Sequence, residues 1–184
     1  MSVSLIIAIV IVIILVFMYN SLVGKKNQVE NIFASVDTML KKRYDLIPNL
    51  VASVSKYMEH EKSLLTEVTE LRAQANKPNV SDAQKIALDA KMSAALGSLM
   101  IAVEAYPDLK ANENVMHLQR SLNEVEEQIS AARRAYNQAV TDYNNAIEMI
   151  PTNFMATAMN YKRKEVFMIP ENERKNVNVK ELFN

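Results

Sequence analysis

KKRYDLIPNLV, residues 41–51, sets a proline inside a stretch that otherwise reads as helix, with Arg43, Asp45 and Asn49 around it. Whether Pro48 ends a helix or bends one decides the fold, because a helix-interior proline removes a backbone hydrogen bond and clashes with the preceding turn, at about 3 kcal/mol. Outward from it, Val29, Phe33, Val36, Leu40, Arg43, Ile47, Leu50, Val54, Tyr57, Glu61, Leu64, Val68, Leu71 and Ala75 are spaced alternately by four and three residues. That is one heptad seam of coiled-coil type, and it crosses Pro48 without losing phase. Neither glycine nor a cluster of turn formers surrounds the proline. The pattern predicts a bend in one long helix reaching about Asn76, since proline is the usual cause of sharp helix bends.

Upstream, Val3 to Val23 reads VSLIIAIVIVIILVFMYNSLV, with no charge before Lys25. At about 1.5 Å per residue this crosses a hydrocarbon layer of about 30 Å. A cleaved signal peptide calls for a basic start, a shorter apolar region and small residues at the cut, none of which is present. Tyr19 and Asn20 suit the headgroup boundary. The span has no Gly-xxx-Gly pattern for tight pairing within lipid. Lys25, Lys26, Lys41, Lys42 and Arg43 all follow the span, so the positive-inside bias places the C-terminal domain in the cytoplasm.

Downstream, Asn76-Lys77-Pro78-Asn79-Val80 is a breaker, and Ser81 with Gln84 forms a capping box. The next helix runs to about Tyr106, with an inward face of Ile86, Ala90, Ser93, Leu96, Met100 and Val103. Small residues there let neighbouring helices approach closely. Pro107 and Asp108 mark a further break, with Asp108 as the expected N-cap. A third soluble helix carries Val115, Leu118, Leu122, Val125, Ile129, Ala132, Tyr136, Ala139, Tyr143, Ala146 and Ile150 in three-four spacing, from Leu109 until Pro151 stops it. Phe154, Met155, Ala158 and Met159 suit a short amphipathic helix, and Val177, Val179 and Phe183 alternate as in an extended segment. The chain is thus all-α: an N-terminal transmembrane helix (residues 1–24) continues into a long antiparallel helical bundle (25–169), followed by a C-terminal tail (170–184). The bundle has a long kinked first helix, a shorter second, a long third and a short C-terminal helix or extended tail.

Composition narrows the chemistry. The 184 residues are 49% hydrophobic and 23% charged, with formal net charge zero, so no overall basic excess draws the chain to nucleic acid. Cysteine is absent, which excludes disulfides, thiolate metal sites and cysteine nucleophiles. Two glycines leave no room for a phosphate-cradling loop, and sheets are unexpected. His60 and His117 cannot build a multi-histidine metal site unaided, and no paired Glu-x-x-His motif is present. Glu126 with Glu127 reads as a wet helix face. Arg43 and Glu61 stand out because a charge on a heptad seam is costly unless paired or open to water. With Pro48 and Asn49 they are the candidates for a partner-binding or hinge role. Phe154 and Met155, close to Lys162, Arg163 and Lys164, are the candidates for contact with a membrane surface.

The blocks YNSLV (19–23), KNQVENIFASVD (26–37), LKKRYDLIPNLV (40–51), YMEHEKSLLTEVTELRAQA (57–75) and NEVEEQISAARRAYNQAVTDYN (123–144) resemble the bacterial LemA family. The resemblance extends to Ile150-Pro151 and rests on the DLIPNL block placed behind an N-terminal span. It implies a single-pass protein of the bacterial plasma (inner) membrane with a helical bundle on the cytoplasmic side, and it implies no reaction. The expected function is a membrane-anchored, non-enzymatic scaffold or adaptor that self-associates or binds another membrane protein, with membrane lipid as a partner and no cofactor. The alternatives are a membrane-surface binding or remodelling protein, through Phe154 to Lys164, and a hydrolase or metal enzyme built on His60, Glu61 and His117.

Overall fold

The computed structural model describes residues 2–168. Every regular element among them is helical: α1 (Val3–Val54), α2 (Lys62–Ala75), α3 (Asp82–Val103), α4 (Pro107–Lys110), α5 (Glu113–Glu148) and α6 (Thr152–Ala158). The extended reading of Val177, Val179 and Phe183, and the tail from 170 onward, lie outside the described residues. The chain divides into two compact units. Among the described residues, one comprises residues 2–39 with Glu127–Val166, the other Leu40–Glu126 with residues 167–168.

In the first unit, α1 begins as an apolar helix whose side chains from Val3 to Phe17 are all exposed. Packing begins at Leu22, which is fully buried, and continues through Val29, Phe33 and Val36. Ile129, Tyr136, Ala139, Val140 and Tyr143 of α5 are buried in the same unit. The Phe33 and Tyr136 rings are 5.4 Å apart and tilted by 58°, a favourable aromatic geometry. The α6 helix ends on a Schellman motif: Asn160 takes φ 53°, its N–H donates to the Thr157 carbonyl, and Tyr161 N–H donates to that of Ala156. Asparagine tolerates this left-handed position and closes the helix. Residues 161–166 then return along α5. Asn144, buried, donates to the Lys164 carbonyl at 3.0 Å and accepts from its N–H at 3.0 Å, while the Tyr143 hydroxyl donates to the Lys162 carbonyl.

In the second unit, α1 passes through Pro48 and ends at Val54, not near Asn76. Residues 55–61 turn the chain back, so that Arg72 of α2 bonds to Tyr44 of α1 and Leu65 lies against the same pocket as Val51. Up to Val54 every seam residue is buried; beyond it Tyr57 is 43% exposed and Glu61 sits in the turn instead of on a helix. The heptad phase extends across this turn because α2 has its own apolar stripe, Leu65, Val68 and Leu71. Spacing carries no information about chain direction. Met58, fully buried, anchors the turn.

The capping box at Ser81 and Gln84 is present and starts α3. Its buried face is Asp89, Met92, Ala95, Leu96, Leu99 and Val103, rotated from the expected one, with Ala90 exposed. The helix packs against α2. The third long helix also differs from expectation. Pro107 occupies the first turn of the short α4, for which Tyr106, not Asp108, is the N-cap. A new start at Asn112, whose side chain accepts from the N–H groups of Asn114 and Val115, opens α5. Leu109 is buried in α4, and Ile150, beyond the end of α5, is 78% exposed.

Candidate functional site

Arg43 is the largest fully buried side chain in the described chain, at 1% exposure. A guanidinium so placed needs compensation, because a buried unpaired charge is among the costliest groups in a protein. Two other helices of the second unit supply it. Nη2 donates to Asp89 Oδ1 of α3 at 2.6 Å; Nη1 donates to Glu126 Oε2 of α5 at 2.9 Å and to Ser93 Oγ of α3 at 3.0 Å. Asp89 is itself buried, whereas the Glu126 side chain is 40% exposed. Burial pulls the Arg43 pKa down, but Asp89 first and Glu126 next outweigh it and hold the pKa above its ordinary value. The Arg43 Nε has no hydrogen-bond partner among the described residues.

Beside this cluster lies a cleft of about 190 Å³. Arg43, Ser93, Asn123 and Glu126 form its polar side, and Leu96, Met100 and Leu122 its apolar side. Gly97 opens its wall, and a methyl group there would meet nothing within 4 Å.

The role of Pro48 emerges one turn along α1. The proline cannot donate to the carbonyl four residues back, which is that of Tyr44. Arg72 of α2 donates its Nε–H to this oxygen at 2.9 Å. A side chain from the neighbouring helix thus replaces the missing intrahelical donor, as buried backbone carbonyls require. Pro48 and Asn49 are themselves exposed. Glu61, half-buried in the turn, accepts at 2.7 Å from the Tyr106 hydroxyl, and that bond raises the phenol pKa above its ordinary value.

In the first unit, Phe154 is 70% exposed and Met155 half-buried. Lys162 is exposed, Arg163 pairs with Glu148, and Lys164 reaches Glu30 at 3.9 Å. His60 and His117 are both exposed, and among the described residues no group of three or more His, Cys, Asp or Glu can hold a metal ion.

In the sequence the heptad seam marks Arg43 but not its partners. Asp89 was legible: it continues the three-four stripe of Met92, Leu96, Leu99 and Val103, a second charge on an apolar face. Glu126, expected on a wet helix face, is 40% exposed and in addition pairs with Arg43. Nothing local marks Arg72, because its function depends on a carbonyl 28 residues away.

Together these features define a class, an all-helical protein in which an uncovered apolar helix long enough to cross a membrane runs on into a packed helical core. Helix α3 also has the length and composition to cross a membrane, but a third of its apolar window is buried and Asp89 is bonded within the core. The chain belongs to the LemA family, whose model matches residues 32–180. It is similar to Protein LemA of Metamycoplasma hominis, with 26% identity over 165 residues, covering 90% of this chain and 75% of that protein. It is also similar to Magnetosome protein MamQ 2 of Paramagnetospirillum magneticum, at 24% identity, covering 91% of this chain and 71% of that one. Magnetosome protein MamQ of Magnetospirillum gryphiswaldense matches at 36% identity over 73 residues, 40% of this chain and 27% of its own length.

Proposed function

We propose that this chain is a membrane-anchored, non-enzymatic helical scaffold or adaptor. The apolar part of α1 crosses the bacterial plasma membrane once, the helical core lies on the cytoplasmic side, and its surface binds a second copy or another membrane protein. The observation that carries this reading is the unbroken exposure of apolar side chains from Val3 to Phe17 on a helix whose later turns are packed. Such a surface demands lipid, since soluble monomers rarely leave so large an apolar area uncovered. The basic residues that follow it, Lys25 and Lys26, support the orientation. The non-enzymatic part is supported by the chemistry of the core, where Arg43, Asp89 and Glu126 are engaged in neutralising one another.

The chain has no cysteine, so single introduced cysteines report topology without background. Cysteine at the exposed Lys56 should resist an impermeant maleimide in intact cells and react once the membrane is opened; labelling in intact cells would reverse the orientation. Light scattering of the detergent-solubilised chain tests assembly. A monomer at every concentration, with no other protein crosslinked in intact membranes, would defeat the scaffold reading.

A further inference from the structure

We propose that the α5–α6 corner, carrying Met149, Ile150 and Phe154, is seated in the interfacial layer of the same bilayer that α1 crosses, giving the packed domain a second point of attachment to lipid. The inference rests on the anchoring role of α1 and adds to it a surface outside the spanning helix.

The first observation is exposure. Met149, Ile150 and Phe154 are 63%, 78% and 70% exposed, three large apolar side chains within six residues of one corner. The second is level. In the first unit α1 and α5 run antiparallel, with Phe33 against Tyr136. Moving back along α1 and forward along α5 by equal numbers of residues keeps the two helices in step, because each rises about 1.5 Å per residue. Seven residues on, Lys26 should lie opposite Tyr143. It does, because the Tyr161 ring is shared between them, 6.0 Å from the Tyr143 ring and 5.7 Å from the Lys26 Nζ. Five more residues bring Glu148, the end of α5, opposite Ser21. The corner beyond Glu148 therefore stands beside Tyr19 and Asn20, where the apolar run of α1 ends. Full burial of Leu22 agrees that packed chain reaches this level.

The third observation is charge. Lys162, whose carbonyl is held by Tyr143, stands at the level of Lys26, with Lys25 close by in sequence, while Lys26 and Arg163 also pair with Glu30 and Glu148. An apolar corner at the boundary with cations about two turns behind it matches the order of a bilayer surface, acyl chains and then phosphates. The apolar surface of the corner continues that of α1, so lipid is the occupant with which it is in register.

The chain contains no tryptophan, so single substitutions provide clean reporters. The full chain is reconstituted into phosphatidylcholine–phosphatidylglycerol vesicles as Phe154→Trp, as Ile9→Trp within the apolar run, and as Ile101→Trp, which replaces an exposed side chain of α3 in the other unit. Lipids brominated near the headgroup end of the chain should quench Phe154→Trp more than lipids brominated deep in it, and Ile9→Trp should show the opposite order. Ile101→Trp should respond only to aqueous iodide. If Phe154→Trp is open to iodide and untouched by bromine, the corner faces water and the proposal fails. If it is shielded from both quenchers, protein covers it, and the proposal fails in favour of a second copy or partner. Loss of bromine quenching at Ile9→Trp would instead defeat the anchoring reading itself.

Discussion

At the scale of single residues, Arg43 organises the second unit. It lies on the seam of α1 and is held by carboxylates from α3 and α5, so one side chain ties three helices. Replacing a buried ion pair by well-packed apolar residues is often neutral, whereas deleting one partner strands the other. Asp89→Ala should therefore cost about 3–5 kcal/mol in urea unfolding. Glu126→Ala should cost less, because the Glu126 side chain is 40% exposed and water can take its place. Equal losses for the two would mean that Arg43 does not depend on burial as described. The sequence exposed the arginine as an anomaly on an apolar stripe. Its partners came from helices 46 and 83 residues away, beyond the reach of any local pattern.

At the scale of elements, the proline in α1 and the arginine in α2 form one device. Arg72→Ala should destabilise the protein by about 1.5–3 kcal/mol, the range for hydrogen bonds to charged groups. Pro48→Ala restores the N–H that the Tyr44 carbonyl lacks, so Arg72→Ala made in that background should cost much less. A double-mutant cycle reads this coupling directly, and additive effects would show that Arg72 acts elsewhere. Continuity of helix through Pro48 was legible from the unbroken seam. The reversal at 55–61 was not, since Tyr57 and Glu61 keep the spacing by coincidence while Met58 provides the buried anchor. The break ahead of α5 was half legible: Pro107 signals it, but Asn112 sets the new start through its side-chain cap.

At the scale of the molecule, the boundary between anchor and packed domain falls within the apolar run itself. Leu22 is 0% exposed and belongs to the core of the first unit, although hydropathy alone groups it with the span up to residue 24. A fragment beginning at Ser21 should remain folded, and one beginning at Lys25 should be less stable by about 2–5 kcal/mol, the cost of emptying a buried leucine site. Thermal melts of the two fragments side by side decide the point. Identical melting temperatures would place Leu22 outside the core.

The sequence by itself determined the helical class, the apolar run from Val3, the capping box at Ser81 and the seams that become the two cores. Each of these depends on interactions within a few residues, where backbone preference and apolar periodicity act. Only the tertiary structure decided that the chain reverses after Val54, that Asp89 and Glu126 meet Arg43, and that Arg72 serves the carbonyl freed by Pro48. Those outcomes depend on which buried polar group finds which partner across distant segments, and a buried charge or carbonyl accepts any donor or acceptor that the packed fold brings within reach.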